Sequence, residues 1–269
     1  MSGSIDGSTL LDRSDGRSIF GTDAAGYHQS RPGYPPALFD HLQSRVDRSP
    51  AILEIGAGTG LASSELLKFE PCHLTIVEPD AALCRFLADR LRDAAVTVRQ
   101  GAFPDVAIEG QFDLAACAAA FHWMDPEPAL AKVRSLLAPG GTWAMWWNCY
   151  FGHGESDPLA EHAHRLLREE NVALPPSYVG GSHYALDRER HVRQLEQAGF
   201  SRIEHAVYRT PRRFSPKQAA DLYRTFSFIR LLSAEPQERI LSRIAEIVAT
   251  ELGGQAEATV VSSLYIASR

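Results

Sequence analysis

Three glycines at alternate positions, Gly56, Gly58 and Gly60, follow the apolar run Ile52–Ile55. Glycine at such a turn lets the backbone approach a ligand with no Cβ in the way. Glu54 stands two residues before the first glycine, inside the apolar run. A second acid, Glu78, ends the next apolar run eighteen residues after Gly60. An acid at that position can accept hydrogen bonds from both hydroxyls of a ribose. His122, in Ala-Ala-Phe-His-Trp, carries an imidazole that titrates near neutrality and can take a proton or bind a substrate. Tyr27 and Arg31 lie four apart and face the same way on a helical turn.

These residues need a sheet edge to meet on. Ala51–Ile55 reads as a first strand, Leu61–Phe69 as a helix, Leu74–Val77 as a second strand and Ala81–Leu91 as a helix. Val96–Arg99 is a short third strand, Phe112–Ala118 a fourth without alternation, Pro128–Leu137 a helix and Thr142–Asn148 a fifth strand. That βαβ rhythm makes a doubly wound α/β sheet, with ligands at the carboxyl edge. After Asn148 it breaks. A helix is expected around Asp157–Glu170, another over His191–Ala198, strands near Ile203–Tyr208 and Ala258–Ala267, and two helices within 215–250.

Bulk composition narrows the partners. The chain has 269 residues, 45% hydrophobic, and a net charge of −6 from 27 basic and 33 acidic residues. No segment concentrates lysine or arginine, so neither nucleic acid nor an anionic membrane is an expected partner. Residues 1–18 are rich in Ser, Gly and Asp and are expected to form a disordered tail. The four cysteines show no CxxC pairing and the histidines no HExxH, so no metal is expected. A reducing, cytoplasmic setting follows from the cysteine pattern.

The glycine spacing selects a ligand. GxGxG departs from the GxGxxG fingerprint of dinucleotide sites. Glu54 beside a pyrophosphate would be repulsive, whereas S-adenosyl-L-methionine carries a sulfonium and an ammonium and no phosphate. Leu53–Gly60, Val77–Asp80, Phe112–Leu114, Ala120–Asp125 and Leu136–Gly141, in that order, resemble the class I S-adenosylmethionine-dependent methyltransferases. The likeness is to their type 11, trans-aconitate-like, small-molecule branch, and Tyr27 with Arg31-Pro32 resembles it too. It covers roughly residues 19–148 well and the remainder loosely.

The resemblance implies a Rossmann-like seven-stranded sheet, parallel except for a reversed last strand, with helices on both faces and a helical cap over the carboxyl edge. Residues 19–269 are expected to form one domain: an N-terminal cap at 19–48, the cofactor core at 49–148 and substrate-cap segments at 149–190 and 215–250. It implies S-adenosyl-L-methionine as cofactor, S-adenosyl-L-homocysteine as product, and Gly56, Ala57, Gly58 and Gly60 along its methionine and ribose. Glu54 stands with them, Glu78 takes the ribose, Pro79, Ala102 and Phe103 flank the adenine, and Ala119 and Phe121 complete the cofactor set. Ala102 departs from the family pattern, which places an acid there for the adenine amino group. Tyr27 and Arg31 would close over the methionine end, Arg31 pairing with its carboxylate.

The acceptor is the open part. Methyl transfer needs alignment and exclusion of water, and a base only if the acceptor must lose a proton. His122 is the candidate base or substrate partner, and Tyr27 stands near the methyl group. Trp123, Trp147, Asn148, Tyr150 and, in the second cap, Tyr223 are candidate acceptor contacts, with Phe151 beside them. On strand five, Trp143, Met145 and Trp147 share one face and Trp146 the other. The expected acceptor is a small molecule, with some preference for a flat or partly apolar one, and the protein a monomer or homodimer. Methylation of RNA or protein, and cofactor binding without methyl transfer, are the alternatives.

Overall fold

The computed structural model describes residues 23–92, 95–150, 157–174 and 183–269. The expected tail and Phe151 lie outside them. In chain order the elements are α1 (Ala24–Ser30), α2 (Pro36–Gln43), β1 (Ala51–Ile55), α3 (Ser63–Leu66), β2 (His73–Glu78), α4 (Ala81–Arg90), β3 (Val96–Gln100) and β4 (Phe112–Ala118). Then come α5 (Pro126–Leu136), β5 (Leu137–Cys149), α6 (Pro158–Glu169), α7 (Arg188–Gln197), β6 (Ser201–Phe214), α8 (Pro216–Arg224), α9 (Ser227–Arg230), α10 (Ala234–Thr250) and β7 (Ala256–Ser268).

The seven strands form one sheet in the order β3-β2-β1-β4-β5-β7-β6. The first five pair in parallel, and β7 runs antiparallel between β5 and β6, the reversed last strand expected from the sequence. Strand order changes direction between β1 and β4. At such a switch point the connections leave toward opposite sides and open a crevice beyond the carboxyl ends. The glycine turn after β1 and the Ala119–His122 segment after β4 flank that crevice.

Three apolar clusters hold the layers. Leu53, Ile55, Val77, Cys117, Trp143, Met145 and Trp147 pack on one face, and Ile52, Leu74, Ile76, Leu114, Ala144 and Trp146 on the other. The alternation along β5 separates Trp146 from its tryptophan neighbours, as a strand requires. The third cluster joins α6, α8, α9 and α10 through Leu159, Leu167, Leu222, Tyr223, Phe226, Ile240, Ile244 and Val248. On α10 the buried positions 240, 241, 244, 247 and 248 follow the helical period. Each such side chain contributes about 1.5–3 kcal/mol when fully buried.

Several elements differ from the sequence reading. β5 starts at Leu137 because the register shifts between Phe112 and Leu114, letting Leu137 pair with Phe112 before the Pro139-Gly140-Gly141 segment. Gly140 has φ +79°, and a Cβ on Gly141 would lie 3.0 Å from the Phe112 carbonyl oxygen. The helix after the glycine turn divides into α3 and a 3-10 turn over Leu67–Phe69. β6 and β7 are longer than expected; β6 is an edge strand, so it carries exposed charged residues and admits Pro211. The cap between 215 and 250 has three helices, because the chain turns at Thr225–Phe226 and again at Leu232–Ser233.

Candidate active site

A cavity of about 270 Å³ lies at the switch point, lined from β1, β2 and β4 on one side and from α1, the end of β5 and the cap on the other. Its floor is the glycine turn. Gly56, Gly58 and Gly60 have φ of +68°, +58° and +79°, values that disfavour any residue with a Cβ. A Cβ on Gly56 would come within 2.5 Å of the Ala120 Cβ, while one on Gly58 would project into open space. Gly56 and Gly58 therefore present bare backbone to the cavity, with Ala57 and Thr59 lining it beside them.

Glu78 forms the adjoining wall, its two oxygens held by backbone amides: Gly58 N donates to Oε2 (2.9 Å) and Asp80 N to Oε1 (3.0 Å). Burial pushes its carboxyl up to about 7, against the pull of those amides. Glu54 stands behind the turn, fully buried and off the cavity wall, with neither oxygen in a hydrogen bond of good geometry. Burial raises its carboxyl to about 7 as well, opposed by the Ser63 hydroxyl and reinforced by the Glu78 charge.

Pro79, Leu83, Ala102, Phe103 and Pro104 line the next stretch. The loop bearing Ala102 is gripped from α5. Lys132 Nζ donates to the carbonyls of Phe103 (2.6 Å), Val106 (2.6 Å) and Pro104 (3.3 Å) and lies 4.9 Å from the Phe103 ring centroid. Three carbonyls and a π-face around one ammonium hold the loop in a single shape.

Aromatic and polar side chains make up the opposite end. His122, Trp123, Trp147, Asn148, Tyr150, His183, Tyr184, Phe226 and Phe228 all face the cavity. Trp147 Nε1 donates to His122 Nδ1 (3.3 Å), and the Tyr184 hydroxyl lies 2.7 Å from the same nitrogen. Asn148 donates to the Pro32 carbonyl (3.1 Å) and accepts from Ser262 Oγ (2.6 Å), tying the N-terminal segment to β7. Ala119, at φ +53°, donates its amide to Trp146 O (2.8 Å) and turns the chain at the end of β4.

Tyr27 and Arg31 close the top. The Arg31 guanidinium lies over the rings of Tyr27 (5.2 Å), Tyr150 (5.0 Å) and Phe226 (4.6 Å), and donates to the Thr225 carbonyl (3.3 Å). α1 is thereby joined to β5 and to the α8–α9 turn.

The structure brings Tyr27, Arg31, Gly56, Ala57, Gly58, Glu78, Pro79, Ala102, Phe103, Ala119, His122, Trp123, Trp147, Asn148 and Tyr150 onto one cavity. Glu54, Gly60, Phe121 and Tyr223 lie off it. Gly60 packs toward Leu87, and Phe121 is buried against Trp143. Tyr223 is wholly buried in the cap because the α8 face that carries it packs toward α10. Sequence reasoning missed Thr59, His183 and Tyr184 as wall residues, and Phe226 and Phe228 also line the cavity. His183 and Tyr184 fall in an irregular stretch with no periodic signal. Among the described residues, no group of three or more His, Cys, Asp or Glu could hold a metal ion, and no helix is long and apolar enough to cross a membrane.

Residues 52–141 match a family model described as a methyltransferase domain. An uncharacterized methyltransferase of Schizosaccharomyces pombe is 26% identical over 244 residues, covering 86% of this chain and 87% of its own length. A protein assigned as a type II methyltransferase from Anaeromyxobacter dehalogenans superposes with a TM-score of 0.60 at 24% identity, over 88% of this chain and 97% of that one. A phosphoethanolamine N-methyltransferase of Haemonchus contortus, solved with phosphomonomethylethanolamine and S-adenosylhomocysteine, gives a TM-score of 0.55 at 15% identity, over 97% of this chain and 60% of that one. The matched domain spans the glycine turn, the β2 acid and the β4 edge that build the cavity floor. The chain carries an S-adenosylmethionine-dependent methyltransferase domain over residues 52–141.

Proposed function

We propose that the protein transfers a methyl group from S-adenosyl-L-methionine to a small, flat or partly apolar acceptor. The observation that carries this reading is the continuity of the cavity, which runs from the glycine turn and Glu78 to a wall of aromatic side chains. The residues present fit the cofactor. Bare backbone at Gly56–Gly58 admits a close approach, and Glu78 supplies an acceptor for ribose hydroxyls. Pro79 and Phe103 offer faces to a purine, with the Lys132-held loop in place of the acid that position 102 lacks. Arg31 is the candidate partner for the methionine carboxylate. Glu54, buried behind the turn, acts through the local field.

When bound, the cofactor supplies a methyl group made electrophilic by its sulfonium. The protein's own tasks are to align the acceptor and keep water out. Trp123, Trp147, Tyr150 and Phe226 provide an apolar enclosure, and His122 and Asn148 provide polar points that fix the acceptor's orientation. Tyr27 also lines the cavity and is the candidate contact near the methyl group. The small-molecule complex of the Haemonchus relative agrees with an acceptor of metabolite size.

The test is incubation with methyl-labelled S-adenosylmethionine and a metabolite extract of the organism that makes the protein, followed by mass analysis. A labelled small molecule is expected. Label in RNA or protein instead would move the acceptor to the macromolecular class. Calorimetric binding of S-adenosylhomocysteine without transfer to any component would leave only a cofactor-binding protein. Arg31→Ala is expected to weaken that calorimetric affinity, and an unchanged value would remove the carboxylate pairing.

A further inference from the structure

Tyr34 also lines the cavity, from the segment that links α1 to α2. Its backbone is fixed on both sides. Asn148 Nδ2 donates to the carbonyls of Pro32 (3.1 Å) and Gly33 (3.4 Å), and Arg212 Nη2 reaches that of Gly33 (3.5 Å). Beyond Tyr34, Pro35 and Pro36 open α2, where the set φ of proline suits a first helical position. The Tyr34 ring stands edge-on to Trp146 (5.8 Å, 86°) and to Phe39 (6.3 Å, 67°), both buried.

Packing thus holds the ring, yet its hydroxyl has no hydrogen-bond partner among the described residues. Phenylalanine would serve that packing as well, since an unmatched hydroxyl is desolvated for no return. The groups whose charge acts on the hydroxyl are Tyr150, Tyr27, Arg31 and Glu54. The first three line the cavity, so the hydroxyl belongs to their end of it. Burial pushes the phenol well up from its ordinary value, reinforced by Tyr150, Tyr27 and Glu54 and opposed by Arg31. At neutral pH it keeps its proton and is an uncharged donor.

Charge orients a cofactor in this cavity. Among the lining residues Arg31 is the one Lys or Arg, and Glu78 the one Asp or Glu. With the ribose hydroxyls at Glu78, the methionine carboxylate belongs at the Arg31 end, where an anion is most stabilised. A carboxylate has about four acceptor sites, so a guanidinium leaves room for a further donor. We infer that Tyr34 is a cofactor-binding residue whose hydroxyl donates to the methionine carboxylate beside Arg31. The inference rests on the S-adenosylmethionine reading of the cavity. An uncharged donor strengthens the grip on the carboxylate without setting a second cation near the sulfonium and the ammonium.

Calorimetry on Tyr34→Phe, which keeps the ring and its packing, tests the assignment. S-adenosylhomocysteine should bind about tenfold more weakly, from the loss of one hydrogen bond to a charged group. Decarboxylated S-adenosylmethionine keeps the sulfonium and the ammonium and lacks the carboxylate. Its affinity, read by competition against S-adenosylhomocysteine, should be the same in the variant and the wild type. The unfolding midpoint should not fall, because the substitution removes an unmatched hydroxyl. Wild-type affinity for S-adenosylhomocysteine in Tyr34→Phe overturns the inference; slower methyl transfer with that affinity intact would assign the hydroxyl to the acceptor instead. An equal loss for both ligands also overturns it, since the hydroxyl would then serve the fold or the ammonium. A wild-type protein that binds neither ligand marks the failure of the cofactor reading itself, a result separable from the others.

Discussion

At Gly56 the backbone has φ +68° and no room for a methyl group, since a Cβ would meet the Ala120 Cβ at 2.5 Å. Gly56→Ala is therefore expected to cost more than about 2 kcal/mol and to abolish calorimetric binding of S-adenosylhomocysteine; a variant with wild-type affinity would show that the turn can shift. Lys132 is a second residue with a local consequence. Its ammonium joins three carbonyls of the loop that flanks Pro79. Lys132→Met should release that loop and weaken S-adenosylhomocysteine binding about tenfold, or about 1.4 kcal/mol, and Lys132→Arg should recover part of it. The glycines and Glu78 were legible in the sequence because a strand, a turn and an acid at fixed distance are local requirements. Lys132 was not, since its partners lie 26 to 29 residues away and carbonyl groups leave no mark in a sequence. Tyr184 and His122 are 62 residues apart and meet only in the folded chain.

Among the elements, α1 combines a site role with slight anchorage. It carries Tyr27, yet it has no buried residue. Its N-terminus is capped by Asp23, whose side chain accepts from the Gly26 amide (2.9 Å), and His28 holds it to Thr59 Oγ1 (3.1 Å). Removing the cap should cost the helix about 1 kcal/mol. Asp23→Ala is expected to weaken S-adenosylhomocysteine binding several-fold and speed hydrogen exchange in α1, with an unfolding midpoint within about 2 °C of wild type. A large drop in the midpoint would mean that α1 belongs to the cooperative core. The parallel half of the sheet was legible at this scale, because buried strands read as unbroken apolar runs between glycine or proline signals. The ends of β6 and β7 were not. An edge strand shows charged residues to solvent, and Arg209, Arg212 and Arg213 look like loop residues until Val261, Ala258 and Glu257 are set opposite them.

For the whole molecule, opposed titrations shape stability. Glu54 and Glu78 titrate near 7 when folded, above the ordinary carboxylate range, so the folded state holds more protons than the unfolded one between about pH 4.5 and 7. Their contribution is full at low pH and is lost as pH rises through 7. His191, His164, His205 and His28 are shifted down, chiefly by burial, so their contribution runs the other way and is lost as pH falls below about 6.5. Above that pH only the carboxyl slope remains between these two sets. Glu54→Gln should melt several degrees higher than wild type at pH 8 and close to it at pH 5.5, from up to about 3 kcal/mol of relieved charge burial. Equal midpoints at both values would mean that Glu54 titrates normally. The last consequence belongs to the order in which the chain is made. β7 is later in sequence than both strands it joins, and it lies between them. A nascent chain can complete β1 to β5 early, but β6 has no neighbour, and β5 has an open flank, until residues 256–268 emerge. During that interval the growing polypeptide exposes two unpaired strand edges, the species that chaperones capture and that aggregates recruit. A ribosome-arrested chain ending at 255 is expected to bind a chaperone that the chain arrested after β7 no longer retains.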